Sequence, residues 1–150
     1  MKKIEILCVG KIKEAYFAEA VAEYGKRLSR FCDFSVTEIP DAPDNILAAD
    51  KESAAILHKA DGYKVLLDLS GEPATSEGFA KWIDGAFVRG AAKVQIIIGG
   101  SRGVSDTVKR AADKIFSFGR VTYPHKLMRV IAAEQVYRAM CILHGTPYHK

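Results

Sequence analysis

Cysteine is scarce in this chain of 150 residues, and its three copies, Cys8, Cys32 and Cys141, lie far apart. An odd, scattered set in apolar surroundings argues against a disulfide framework and reads as buried thiols in a reducing compartment. Cys141 and His144 stand three residues apart and could share a helix face, but no further ligands follow at suitable spacing, so no metal is expected. No apolar run approaches the roughly eighteen residues a membrane span needs. The opening "MKKIEILCVGK" is interrupted by Glu5 and is too short for a signal core. The expected location is therefore the cytoplasm, away from membranes. Repeats, low-complexity tracts and linkers are missing too. So are the common nucleotide fingerprints. No Gly-Lys-Ser/Thr follows "IIIGGSRGVS", and neither that turn nor "VGKIKEAY" has the G-x-G-x-x-G spacing.

What is present is a soluble globular composition, 49% hydrophobic and 27% charged, at a length that suits one domain over residues 1–150. The net charge of +4 is unevenly spread. Residues 1–100 carry 13 Lys/Arg against 15 Asp/Glu, and residues 101–150 carry 9 against 3. A basic C-terminal third fits either an anionic partner on one face or an ordinary solvated surface.

Strand and helix patterns alternate. "KIEILCVG" (3–10) is a β-rich run ending in glycine. Over 14–31, Phe17, Val21, Tyr24, Leu28 and Phe31 recur at helical spacing. "FSVTEIP" (34–40) gives a second strand. Asp44 is the expected cap of a helix to about residue 60, with Ile46, Leu47, Ala54 and Leu57 as its apolar stripe. "YKVLLDL" (63–69) is a third strand, "SGEPATSEG" a loop, and Ser76 the expected cap of a helix to about residue 91. "KVQIII" (93–98) is a fourth strand, after which Ser105 caps a short helix. "IFSFGRVTY" (115–123) is a fifth strand, and a last helix covers about 125–143. Buried strands separated by helices imply a mainly parallel sheet covered on both faces, an α/β fold. Ligands of such sheets sit beyond the carboxyl ends of the strands. Here those ends carry "LLDLSGEP", "IIIGGSRG" and "VTYPHKLMR".

Each of these places has a chemical and a plain reading. Gly99, Gly100 and Gly103 permit close backbone approach to a ligand, or simply make a strand-to-helix turn. Asp68 suits a ribose hydroxyl or a loop cap, and its neighbours Leu67 and Leu69 could floor a flat ring. Apolar residues wrap most of the circumference of the last helix, so something beyond the sheet must cover it, and a second copy of the chain is the simplest candidate. Arg129, Glu134 and Arg138 on that helix need partners or a ligand, because unpaired buried charge is very costly. Glu134 and Arg138 fit a structural ion pair as readily as catalysis. The closing "PYHK" offers an aromatic that can stack on a base and a histidine that titrates near neutrality, or a frayed end.

Taken in order, "LLDLSG", "IIIGGSRG", "SFGRVTYPHKLMRVIAAEQVYRA" and "PYHK" closely resemble the RlmH (YbeA-like) family of ribosomal RNA methyltransferases, of the SPOUT class. The resemblance spans essentially the whole chain. It implies one SPOUT domain with a C-terminal trefoil knot over about 65–150, although knots are rare among folds. It implies a homodimer that binds S-adenosylmethionine and methylates N3 of pseudouridine 1915 in helix 69 of 23S rRNA, acting on assembled 70S ribosomes. Carried over by motif, the cofactor residues are Leu67, Gly99, Phe118, Gly119, Arg120, Val121, Thr122 and Tyr123. The resemblance sets the substrate, and the chemistry of its weakly acidic N3 proton then points to His149 as base or hydrogen-bond partner, Tyr148 as a stacking residue and Arg129 as an anion stabiliser. His125 is another candidate, although a Pro-His pair entering a buried helix more often serves as a cap. Arg102, Lys109, Arg110, Lys126 and Lys150 are plausible phosphate partners. The competing readings are a non-catalytic α/β nucleotide- or ribosome-binding module and a flavodoxin-like redox protein. The second is disfavoured because "GKIKEAY" stands where a Ser/Thr-rich phosphate loop would be.

Overall fold

β-branched and aliphatic runs alternate with helical patterns along the whole chain, and a computed structural model, which describes residues 1–150, turns them into five strands and five helices. They are β1 (Lys3–Val9), α1 (Ala15–Leu28), β2 (Asp33–Ile39), α2 (Ala48–Lys59), β3 (Tyr63–Pro73), α3 (Ser76–Val88), β4 (Lys93–Ile98), α4 (Asp106–Ala111), β5 (Lys114–Ser117) and α5 (His125–His144). The strands form one sheet in the order β2-β1-β4-β3-β5, every pairing parallel. Because a parallel sheet has no wet face, successive residues of β1 serve opposite cores. Ile4, Ile6 and Cys8 join the cluster under α1, α3 and α5. Leu7 and Val9 join the one under α2 and α4. Ile96, Ile97 and Ile98 of the central β4 are buried on both sides, each worth about 1.5–3 kcal/mol relative to exposure.

α5 holds the first core together. It packs against α1 and α3 and onto β1 and β4, and no residue from His125 to Ile142 is exposed. Its small residues, Ala132, Ala133 and Ala139, let these neighbours approach closely. Much of the cover that the sequence pattern demands is therefore supplied within the chain, by α1, α3 and the terminal tail. The helix ends at Gly145, whose φ of 67° makes a left-handed cap with Thr146 N–H donating to the Cys141 carbonyl at 2.9 Å.

The structure corrects several expectations. Asp44 does not cap α2, which starts at Ala48 with no side-chain cap; Asp44 instead pairs with Arg102 at 2.6 Å. Ile46 and Leu47 are 87% and 53% exposed, and the inward stripe is Ala48, Glu52, Ser53 and Ile56. Both precede the first turn of the helix, in a lead-in segment that is exposed from residue 43 to residue 47. The cap of α3 is Thr75, which accepts from Gly78 N–H at 2.9 Å, rather than Ser76. "SGEP" is not loop, because β3 continues to Pro73 after slipping register. Leu67 and Glu72 both face Phe116, so residues 68–71 bulge out between them. β5 ends at Ser117, and residues 118–123 leave the sheet as a loop across the strand ends.

Candidate active site

The loop after β5, the glycine turn after β4 and the bulge in β3 enclose a cavity of about 540 Å³ at the carboxyl ends of these strands. Its floor is apolar, with Leu67 of β3, Ile98 of β4 and Met128 of α5. Its walls are the turn from Gly99 to Val104 and the segment from Ser117 to His125. The turn needs its glycines. A Cβ on Gly99 would fall 2.8 Å from the Val104 side chain, and one on Gly100 would fall 2.7 Å from Glu52 Oε1. Gly103 carries a φ of 73° and donates back to the Gly100 carbonyl at 3.0 Å, so the turn folds on itself and presents backbone to the cavity. On the other wall Ser117 Oγ donates to the Gly119 carbonyl at 2.8 Å, fixing the chain as it leaves the sheet.

Of the eight expected cofactor residues, the structure puts Leu67, Gly99, Phe118, Gly119, Val121, Thr122 and Tyr123 on this lining. Arg120 points elsewhere and is exposed. No lysine or arginine lines the cavity. The charged member of the lining is Asp68, held by Ser70 N–H at 3.0 Å and by the Ser70 hydroxyl, with Lys109 Nζ 4.0 Å away. Such a chamber suits a flat ring over apolar floor atoms and a neutral or cationic group, whereas polyphosphates would find no counter-charge.

The three expected catalytic side chains lie outside this lining. Arg129, 1% exposed, points to the ends of β1 and β2. It donates to Glu38 Oε2 at 2.6 Å, to the Gly10 carbonyl at 2.7 Å and to the Val9 carbonyl at 3.3 Å. Burial raises the Glu38 carboxyl, but the Ile12 N–H and the Arg129 guanidinium pull it further down, below its ordinary value. Tyr148 and His149 fold back on α5. Tyr148 OH donates to Glu134 Oε2 at 2.7 Å, and Arg138 binds the same carboxylate at 2.8 Å. Burial and that carboxylate push the Tyr148 phenol well above its usual range. Arg138 also meets His149 Nδ1 at 3.0 Å, and His149 Nε2 meets Glu77 at 2.7 Å. A guanidinium only donates, so Nδ1 is the acceptor and Nε2 carries the proton. The ion pair expected of Glu134 and Arg138 is present, and it anchors the tail.

Sequence reasoning missed Glu38, Asp41 and Glu52, the carboxylates behind the glycine turn and the start of α5. Nothing local marks Glu38 as the partner of a side chain 91 positions away. Met128 also reaches the cavity, its place at the start of a helix that follows a ligand-binding strand end being the available signal, and so does His125, the alternative candidate of the sequence reading.

Comparison with known proteins agrees with this architecture. The family model described as "Predicted SPOUT methyltransferase" matches residues 1–149. The ribosomal RNA large subunit methyltransferase H proteins of Streptococcus pyogenes serotypes M5 (strain Manfredo) and M18 (strain MGAS8232) are each 42% identical over 158 aligned positions, covering 99% of both chains. Among solved structures, a probable methyltransferase from Bordetella pertussis Tohama I superposes with a TM-score of 0.58 at 14% identity, over 93% of this chain and 95% of that one. A probable methylase family protein from Haemophilus influenzae Rd KW20 gives 0.57 at 11% identity, over 99% and 71%. At such low identity these two speak for the fold alone. The family match and the near-complete cover of the Streptococcus relatives place the chain among the SPOUT methyltransferases, as a member of the ribosomal RNA large subunit methyltransferase H family.

Proposed function

We propose that this chain transfers a methyl group from S-adenosylmethionine to N3 of pseudouridine 1915 in helix 69 of 23S rRNA, on assembled 70S ribosomes and as a knotted homodimer. The observation that carries the reading is the cavity itself. It has an apolar floor, backbone walls and no lysine or arginine, in a chain of this methyltransferase family. When bound, the cofactor supplies an electrophilic methyl group on a sulfonium cation. The chain's own task is alignment and exclusion of water. Leu67, Ile98 and Met128 offer an apolar bed for the adenine, while Gly99 and the 118–123 loop offer backbone donors and acceptors at its edge.

Target positioning falls to the tail in this reading. Tyr148 stacks on the base, and His149 takes or bonds the N3 proton, across the dimer from the cavity it serves. As arranged, both nitrogens of His149 are occupied, by Arg138 and Glu77, so the tail must shift when substrate arrives. Arg129 contributes by fixing the first turn of α5, since its guanidinium is already committed. Phosphate contacts come from the basic C-terminal third, and the modest net charge favours recognition of a ribosomal surface over tight binding of free RNA.

The test is methyl transfer from labelled S-adenosylmethionine to ribosomes from cells that lack the endogenous activity, beside separated subunits and free rRNA. Label at the helix 69 pseudouridine, strongest on intact ribosomes, is expected. Cofactor binding without label on any of these would keep the fold and overturn the substrate.

A further inference from the structure

One imidazole in the cavity wall has nothing bound to it. His125 opens α5 and lines the cavity, and its Nε2 is shut away from solvent with no hydrogen-bond partner. Space behind the ring is tight. A Cβ on Gly10 would lie 3.1 Å from His125 Nε2 and 3.2 Å from Asp41 Oδ2, so imidazole and carboxylate face each other over the end of β1. The other charges around the ring are few. From α2, Glu52 sits behind Gly100 and accepts from Ala42 N–H at 3.0 Å. From α5 itself come Lys126 and Arg129, the latter paired with Glu38. Across the cavity lies Asp68, with Lys109 4.0 Å away.

We propose that His125 sets the preference of the cavity for the methylated cofactor over the demethylated product. Its neutral imidazole admits a sulfonium cation, whereas an imidazolium there repels the cation and tolerates the uncharged thioether. This rests on the S-adenosylmethionine reading above.

The physical argument is charge in a confined space. Burial outweighs the pull of Asp41 and holds His125 below its ordinary 6.5, so at neutral pH the imidazole is uncharged. No lysine or arginine lines the cavity to do the discriminating instead. A cation bound beside the ring opposes its protonation further. By linkage, protons then oppose the cation to the same extent. The thioether product shares the adenosine, amine and carboxylate of the cofactor and lacks only this charge. Acidification therefore weakens the donor and spares the product, and product inhibition deepens as pH falls.

The experiment is calorimetric titration of S-adenosylmethionine and S-adenosylhomocysteine into wild type, His125→Gln and Asp41→Asn, between about pH 5 and pH 8. The ratio of the two Kd values cancels every titration the ligands share. In wild type it is expected to be flat near neutrality and then to rise against the cofactor by up to about tenfold per pH unit below the His125 titration. His125→Gln is expected to flatten it. Asp41→Asn, which removes the carboxylate favouring imidazolium, is expected to move the rise to lower pH; with wild type, it decides the matter even where the glutamine variant fails to fold. Parallel profiles for both ligands in wild type would overturn the proposal, as would an unchanged rise in His125→Gln. Failure of both ligands to bind at any pH would instead bring down the cofactor reading, and this inference with it.

Discussion

Arg129 and Glu38, 91 positions apart, meet at 2.6 Å where the edge strand β2 ends and the first turn of α5 begins. The pair is lopsided, because Arg129 is 1% exposed at its side chain and Glu38 is 39% exposed. Removing Glu38 strands a buried cation, whereas removing Arg129 leaves a carboxylate that water can reach. Glu38→Ala is expected to destabilise by about 3 kcal/mol, the low end for breaking a buried pair. Arg129→Met is expected to cost about 2 kcal/mol, chiefly through the carbonyls of Val9 and Gly10 left unpaired. In the Glu38→Ala background, Arg129→Met should cost far less, giving a coupling of about 2 kcal/mol in a urea-denaturation cycle. Losses that add to within about 0.5 kcal/mol would deny the pairing.

The same carboxylate gives a pH signature. Glu38 lies below its ordinary 4.5 in the folded chain, burial being outweighed by the Ile12 N–H and by Arg129. A depressed folded value means stability that is complete above the unfolded value and lost as pH falls through the folded one. Denaturation midpoints of wild type are thus expected to fall below about pH 4.5 by more than those of Glu38→Gln. Equal slopes for the two proteins between about pH 3 and pH 5 would show that Glu38 does not carry the effect.

Gly71 tests the bulge that makes room for the cavity. A Cβ there would lie 2.6 Å from the Phe116 carbonyl carbon and 2.8 Å from the Ile115 carbonyl, both backbone. β5 is an edge strand, but its backbone is held by pairing with β3 and cannot yield without breaking that ladder, so Gly71→Ala is expected to cost about 3 kcal/mol or more, or to prevent folding. Gly90→Ala is the comparison, since nothing stands within 4 Å of its Cβ and only its φ of 102° resists. That change should cost about 1 kcal/mol. A Gly71→Ala protein as stable as Gly90→Ala would mean that β3 and β5 separate more easily than their pairing implies.

The alternation of elements was legible because a short apolar run such as "KVQIII" and a helical repeat such as that of α1 read the same regardless of context. The ends of β3 and β5 were not, since they depend on each other. β3 slips register against Phe116 only once both strands are in place. Ile46 and Leu47 misled for a related reason. Apolar residues just before a helix mimic its stripe, and only the tertiary fold shows that Ala48, Glu52 and Ile56 face inward. The glycine turn was legible as a candidate and undecided in meaning, because the obstacles that require glycine, Glu52 and Val104, come from α2 and from its own far side. The need of Arg129 for a partner could be stated from sequence, and Glu38 as that partner could not. The tail was legible only through family resemblance, because "PYHK" has no periodicity to read.

That tail supplies the last prediction. Tyr148 OH donates to the carboxylate that also binds Arg138, and the ring packs edge-on to Tyr137 with centroids 4.7 Å apart, under the Arg138 guanidinium. Burial first, then Glu134, keep the phenol protonated beyond its usual range. Ionising it would set phenolate against carboxylate. In an alkaline spectrophotometric titration, Tyr148→Phe is expected to show the same tyrosinate absorbance as wild type up to about pH 11, since ordinary tyrosines titrate near 10. A deficit of one tyrosinate at that pH would place the phenol in water and the tail off the helix. The same substitution should cost only about 1 kcal/mol, one hydrogen bond, because Glu134 keeps Arg138. Turnover separates docking from chemistry. If Tyr148 serves by stacking, Tyr148→Phe should keep most activity while Tyr148→Ala loses it. A phenylalanine variant as inactive as alanine would assign the work to the hydroxyl and to its bond with Glu134.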